Sequence, residues 1–475
     1  MAEKQVEKRA VYAGYPTAKV YKERDGKDRI GHLLWGTWIE HQGVEDGIWA
    51  KVRIRGWDVN RQPKIGWMKK KDFQEHKILE IYFIDVAQGD GCLMITPDDK
   101  FHLIDAGEGK NMAAFLHWKF NLGGKNPKPV VFENTIISHP DKDHYNGFFD
   151  IAEEPKVVFQ NVYHNGLVER VGKDSLGALK GDFLTDIVLD NDGLDELLKD
   201  TAKVKGKLYP KLMKKLRDKG ANVKMLCSDD QYLPNYDKND VENKKPAIRV
   251  LAPVPTADAA GKRTMKWFGQ KGTPGVTKNG HSVVVKVEYG DVRILLGGDL
   301  NIPAENHLLE HYTGINPETA SPAEIKTLLT KANKIFEADV AKACHHGSAD
   351  FTNLFLQSIN SAVTIISSGD EEPHSHPRPD AVGALGKFGR SDRPLIFSTE
   401  LARSTRDLII KKNPTDKELG RTVAVYGNID VRTDGEKVVI GQRFEQTPAH
   451  GEWDVYQLVK DKNNGNVLTY VSKHE

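Results

Sequence analysis

Residues 138–147 read Ser-His-Pro-Asp-Lys-Asp-His-Tyr-Asn-Gly, so His139, Asp141, Asp143 and His144 fall within six positions, directly behind the apolar residues Val130, Val131, Phe132, Ile136 and Ile137. Such a run predicts a buried strand, and the tight polar turn after it delivers side chains to the edge of a sheet. Imidazole nitrogens and carboxylate oxygens aimed at one point from that turn suit zinc, manganese or iron. The bland alternative is a solvated His/Asp-rich turn. Four donors at this spacing behind an apolar strand favour a metal site.

Upstream, residues 78–109, "ILEIYFIDVAQGDGCLMITPDDKFHLIDAGEG", give three apolar β-rich runs broken by Gly and Pro-Asp-Asp turns, followed by helical periodicity in "NMAAFLHWKF". Downstream, "AIRVLAPVP" and the hairpin "HSVVVKVEYGDVRILLGGDL" resume the strand pattern, with the turn at Tyr289-Gly290-Asp291. Strand, loop and helix then recur through "IFEADVAKACHHGSADFT" and "AVTIISSGDEEPHSHPRPDAVGAL". The expected division is an N-terminal domain over 1–76, a catalytic domain over 77–415 and a β-rich extension over 416–475.

Residues 166–245 are read as a helical, basic insertion. Lys203, Lys205, Lys207, Lys211, Lys214, Lys215, Arg217 and Lys219 fall in one short span. A solvated helix face is one reading. The other is a nucleic-acid surface, with Lys203, Lys207, Lys211, Lys214, Lys215 and Arg217 as phosphate contacts. Residues 1–76 alternate short β-type runs with turns and are expected to close into a small barrel. Their end, "GWMKKKDF", resembles bacterial SH3-like domains, which implies a site for a protein partner.

The whole chain is nearly neutral, with 68 Lys and Arg against 67 Asp and Glu among 475 residues, so any polyanion must be met by a local patch. Three cysteines without close pairing fit reduced thiols. The first residues are charged, and no stretch approaches the roughly 20 apolar residues of a membrane span. The expectation is a soluble, cytoplasmic protein with no membrane partner.

Several separated motifs, in order, resemble the metallo-β-lactamase superfamily in its ComEC-like branch, that of the DNA-internalisation competence proteins. "FIDVAQGD" matches at Asp85, Gln88, Gly89 and Asp90, with Ala87 replacing a usual glycine, and "HLIDAG" supplies Asp105. "SHPDKDHYNG" has the His-x-Asp-x-Asp-His form, "LLGGDL" offers Asp299, "KACHHGS" the later histidines, and "SSGDEEPHSHP" a loop ending in His-Pro. The resemblance, over residues 78 to about 410, implies an α/β fold: an αββα sandwich carrying two divalent ions, Zn or Mn. His139 and Asp141 would serve one ion, Asp143, His144 and His346 the other, and Asp299 would bridge them. Asp105 would buttress the metal loop, and His346 is favoured over His345 as the ligand. His376 would face the substrate or transfer a proton, with His374 beside it as a weaker candidate. The superfamily's intermediate histidine has no clear equivalent; His164 in "VYHNG" is the nearest.

The implied activity is phosphodiester hydrolysis on DNA or RNA, in which Asp141, Asp143 and His376 would take part; antiviral defence is a role suggested by fold analogy alone. A small-molecule hydrolase acting on a cyclic nucleotide, another phosphoester, a thioester or a lactam is the alternative. A non-catalytic scaffold is the third.

Overall fold

The apolar runs around the metal turn are strands whose side chains alternate between two buried faces, and that alternation decides the layering. The computed structural model describes residues 3–55, 62–239, 245–369, 375–399, 427–444, 452–461 and 467–470. A first sheet takes β1 (Leu79–Phe83), β2 (Gly91–Ile95), β3 (Phe101–Ala106), β4 (Val130–Ile137), β5 (Val157–His164) and β6 (Asn222–Met225). A second takes β7 (Ala247–Ala252), β8 (Val284–Tyr289), β9 (Val292–Leu296), β10 (Val340–Lys342), β11 (Val363–Ile366) and β12 (Leu395–Ser398). Four later strands, β13 (Ile429–Thr433), β14 (Val438–Arg443), β15 (Trp453–Asp461) and β16 (Val467–Tyr470), return to the first. That sheet is ten-stranded in the order β6-β5-β4-β3-β2-β1-β13-β14-β15-β16, and the second is six-stranded in chain order. Neighbours from β3 to β6 and from β9 to β12 pair in parallel.

β1 shows why the faces sort. Leu79, Ile81 and Phe83 point between the sheets, where they meet Val285, Val287, Ile294 and Ile365 of the second sheet. Tyr82, on the opposite face, joins Leu93, Leu103 and Phe132 beneath helices α1 (Asn111–Phe120), α2 (Lys142–Tyr145) and α3 (Phe148–Glu153). The stretch read as an insertion forms α4 (Asn191–Lys199), α5 (Thr201–Val204) and α6 (Leu208–Asp218). Tyr209, Leu212, Met213 and Leu216 of α6 recur at helical spacing and are buried in that same core, and the following β6 extends the sheet. These helices are therefore one layer of the sandwich. On the far side, α8 (Ile302–Thr313), α9 (Pro322–Phe336) and α10 (Asn353–Ile359) cover the second sheet through Leu308, Leu309, Leu328, Phe336 and Phe355; the short α7 (Pro274–Gly280) precedes β8, and α11 (Pro379–Phe388) follows β11. The result is the expected αββα sandwich.

The described residues between Lys4 and Gln74 form an eight-stranded antiparallel sheet around Val11, Val20, Leu33, Ile39, Val52 and Met68. It docks through Leu34 and Trp35 against Ile78, Val439 and Trp453. The Glu452 backbone N–H donates to His32 Nδ1 at 2.9 Å and Trp453 Nε1 donates to the His32 carbonyl at 3.1 Å. Among the described residues, no helix is long and apolar enough to cross a membrane.

Candidate metal centre

β3 and β4 run parallel and end side by side, which brings Asp105 under the metal turn. Its Oδ1 accepts the Ser138 N–H at 2.7 Å, and its Oδ2 accepts the Ser138 hydroxyl at 2.6 Å and lies 2.8 Å from His144 Nδ1. That contact keeps a proton on Nδ1 and turns Nε2 toward the site. The turn is closed from the other side by Gly89, whose φ is 104°; the Asp90 N–H donates to the Asp143 carbonyl at 3.2 Å.

Four donors then converge. His144 Nε2 and His346 Nε2 each lie 3.1 Å from Asp299 Oδ2 and 3.3 Å from one another. His346 Nε2 is 3.4 Å from Asp143 Oδ2. Ligands about 2.0–2.1 Å from a tetrahedral ion stand roughly 3.3 Å apart, so this set fits a zinc-sized cation. Asp143, His144, Asp299 and His346 are also a group whose ligand atoms all lie within 4.8 Å of one another; Asp90, Asp105 and His144 form a second such group.

The electrostatics demand positive charge here. Burial works against the charged form of both imidazoles. For His144 the carboxylates of Asp299, Asp105 and Asp143 outweigh it, and for His346 those of Asp299 and Asp90, together with hydrogen bonds to Asp143 and Asp299, so both pKa values rise well above the ordinary histidine range. Burial likewise opposes the Asp299 carboxylate, but His144, His346 and Lys342 hold it well below the ordinary range. A divalent ion would replace the imidazolium protons, so binding would release them.

Support comes from residues around the donors. His346 Nδ1 lies 2.9 Å from the Ser367 carbonyl and 3.2 Å from Asp90 Oδ1, which turns its Nε2 inward. Lys342 pairs with Asp90, donates to the Gly298 carbonyl at 2.9 Å and stands 3.5 Å from Asp299 Oδ1. His345 takes a left-handed backbone conformation next to His346, and its ring approaches Asn279 at 3.4 Å rather than the cluster. The His376 ring stacks 6.3 Å from that of His346, at the rim. His374 lies outside the described residues.

His139 and Asp141 stand apart from the four. His139 Nε2 is 3.6 Å from Asp141 Oδ2 and 3.9 Å from Asp299 Oδ2 and has no hydrogen-bond partner among the described residues. Asp141 is ion-paired with Lys278. His164 is fully buried at the end of β5, its Nδ1 accepts the Gly166 N–H at 3.2 Å, and burial lowers its pKa to about 3. It is thus a neutral core histidine outside the metal-ligating group. In the basic stretch, Lys203 pairs with Asp200 at 3.6 Å, Lys214 with Asp218 at 2.8 Å, Lys215 with Glu153, and Arg217 with Asp195 at 3.0 Å. Sequence reasoning gave no role to Lys278, Asn279, Lys342 or Asp90. The last two sit inside quoted motifs, which was the available signal.

A family model for the metallo-beta-lactamase superfamily matches residues 92–347. Solved structures with a similar fold include Tm1679, a metal-dependent hydrolase of the beta-lactamase superfamily, at 14% identity over 67% of this chain and 95% of that one, with a TM-score of 0.28. Zn(2+)-bound PqqB from Methylobacterium extorquens is 7% identical over 67% of this chain and 97% of that one (TM-score 0.33), and a diphosphatase of the PhnP family is 9% identical over 67% and 94% (TM-score 0.29). No curated protein matches.

Proposed function

The chain belongs to the metallo-β-lactamase superfamily, and on that premise we propose that it is a metal-dependent hydrolase of phosphodiesters, with DNA or RNA as its substrate. The observation that carries this reading is the convergence of Asp143, His144, Asp299 and His346, with both imidazole tautomers fixed from behind by Asp105 and Ser367. These four residues would hold a zinc or manganese ion. When bound, such an ion supplies a Lewis acid and an activated water at neutral pH. A carboxylate-rich centre of this kind suits a substrate whose phosphoryl oxygens complete the shell.

The chain's own residues do the rest. Asp105 and Ser138 hold His144 in its ligating orientation, and Lys342 neutralises Asp90 beside Asp299. His376, at the rim, would return a proton to the leaving alkoxide. Lys203, Lys207, Lys211, Lys214, Lys215 and Arg217 would follow the backbone of a bound strand. The antiparallel N-terminal domain, as an SH3-like module, would hold a protein partner, and the resemblance of the motifs to the ComEC-like branch supports the reading as a nuclease. A second ion, of the anticipated pair, would have to enter at His139 and Asp141, where Lys278 already stands.

The test is metal analysis of the purified chain together with hydrolysis of single-stranded DNA, RNA, a cyclic nucleotide and an aryl phosphodiester. The Asp143→Ala, His144→Ala double variant should lose both metal and activity while staying folded. Full hydrolysis by that variant would refute the assignment.

A further inference from the structure

We infer that the Lys278 side chain takes the place of the first of the two cations, so that this enzyme works with one metal ion and a built-in ammonium. The inference rests on the hydrolase reading above and adds to it the composition of the centre.

Asp141 occupies the place from which the first ion's carboxylate would come, yet both of its oxygens are engaged by nitrogen donors. Oδ1 takes the Lys278 ammonium. Oδ2 accepts the Asn279 side-chain amide at 2.7 Å, in the amide orientation that also donates to the Gly275 carbonyl at 3.1 Å. Both donors come from α7, directly ahead of β8, whose hairpin partner β9 leads to Asp299. Lys278 is only 13% exposed and has a second carboxylate, Glu169, at 3.6 Å and the Pro140 carbonyl at 3.5 Å. A lysine wedged between two carboxylates and a carbonyl is held there, because withdrawing it would strand those partners in a largely buried place.

What is left for a first ion is meagre. Among the described residues, His139 is the imidazole that pairs with Asp141, at 3.6 Å, while the His345 ring turns to Asn279. The His139 ring is fixed by the Ser138 and Ser282 hydroxyls, 3.0 and 3.3 Å from Nδ1, and it belongs to neither of the metal-ligating groups found among the described residues. His164, the nearest candidate for a third donor, accepts the Gly166 N–H. An incoming divalent ion would have to expel an ammonium from Asp141 and settle for few protein donors. The ammonium supplies a positive charge at Asp141, but it cannot polarise a water as a Lewis acid does; it serves as a point charge for a phosphoryl oxygen.

Titration calorimetry and manganese EPR on the full chain read the stoichiometry directly. The wild type should bind one Mn²⁺ with an uncoupled spectrum. Lys278→Ala, which releases Asp141, should admit a second ion and show the spin coupling of a pair roughly 3.5–4 Å apart. Lys278→Arg keeps the charge and should bind one. Two ions of comparable affinity in the wild type would overturn the inference, as would a Lys278→Ala variant, folded by circular dichroism, that still takes one. The wild-type measurement stands even if the variant fails to fold. A wild type that binds no ion at all would instead overturn the hydrolase reading, so the two failures are distinct.

Discussion

Glu305 carries a prediction whose size follows from its surroundings. It lies in the first turn of α8, is fully buried, and its Oε2 accepts the Thr352 N–H at 2.5 Å, while Oε1 has no partner among the described residues. Thr352 caps α10, so this bond anchors the far end of the loop that carries His346. Burial pushes the Glu305 carboxyl up to about 8 from the ordinary 4.5, against the lowering effect of the Thr352 bond. The folded protein therefore holds this proton over a window in which the unfolded chain has released it. Stability falls as pH rises through that window, by about 1.4 kcal/mol per unit, or about 2 kcal/mol from about pH 6 to about pH 8. Glu305→Gln keeps the acceptor for Thr352 and removes the titration. Denaturant unfolding of both proteins across this range should show the variant gaining about 2 kcal/mol on the wild type by the alkaline end. A gap that stays constant with pH would refute the reasoning.

A Cβ at Gly89 would stand 1.7 Å from the Asp143 carbonyl oxygen, so Gly89→Ala must part the two loops; we expect a loss of about 1–3 kcal/mol in unfolding experiments and weakened metal binding by calorimetry, and unchanged values for both would count against the loop contact. Asp105→Asn removes the acceptor that holds the His144 tautomer and should lower metal affinity about 10–100-fold, again by calorimetry; an unchanged affinity would show that the buttress is dispensable. Charge reversal at Lys203, Lys207 and Lys211 should flatten the salt dependence of single-strand binding by up to about 0.7 per lost phosphate contact, leaving hydrolysis of a small aryl phosphodiester as in the wild type. An unchanged slope would leave these lysines as solvated surface.

Much of the sandwich was legible because its strands are buried on both faces and so read as nearly unbroken apolar runs. The metal turn was legible for a different reason: four donors sit within six residues, so local sequence alone assembles half the site. Asp299 and His346 emerged only from the order of motifs. Lys278 did not emerge, because its pairing with Asp141 spans 137 positions and a lysine in a short helix looks solvated. In the 193–223 stretch, the density of lysines drew attention to charge. The buried face of Tyr209, Leu212, Met213 and Leu216, present in the same letters, places that stretch inside the fold. His164 shows the converse: its place at the end of an apolar strand was itself the signal of a core histidine.

The seam between β1 and β13 sets a timetable. Tyr82 and Arg432, hydrogen-bonded at 2.7 Å across it, are 350 positions apart in the chain, and the seam is threaded by buried ion pairs of Arg432 with Glu80 and Asp430. At roughly 5–20 residues per second, a ribosome would leave the edge of β1 without its partner for roughly 20–70 s. For that interval the nascent sheet offers an open row of backbone donors and acceptors to neighbouring chains, with Glu80 still lacking its guanidinium. Synthesis speed and chaperone supply should therefore govern the yield of active protein more than the stability of the finished fold does.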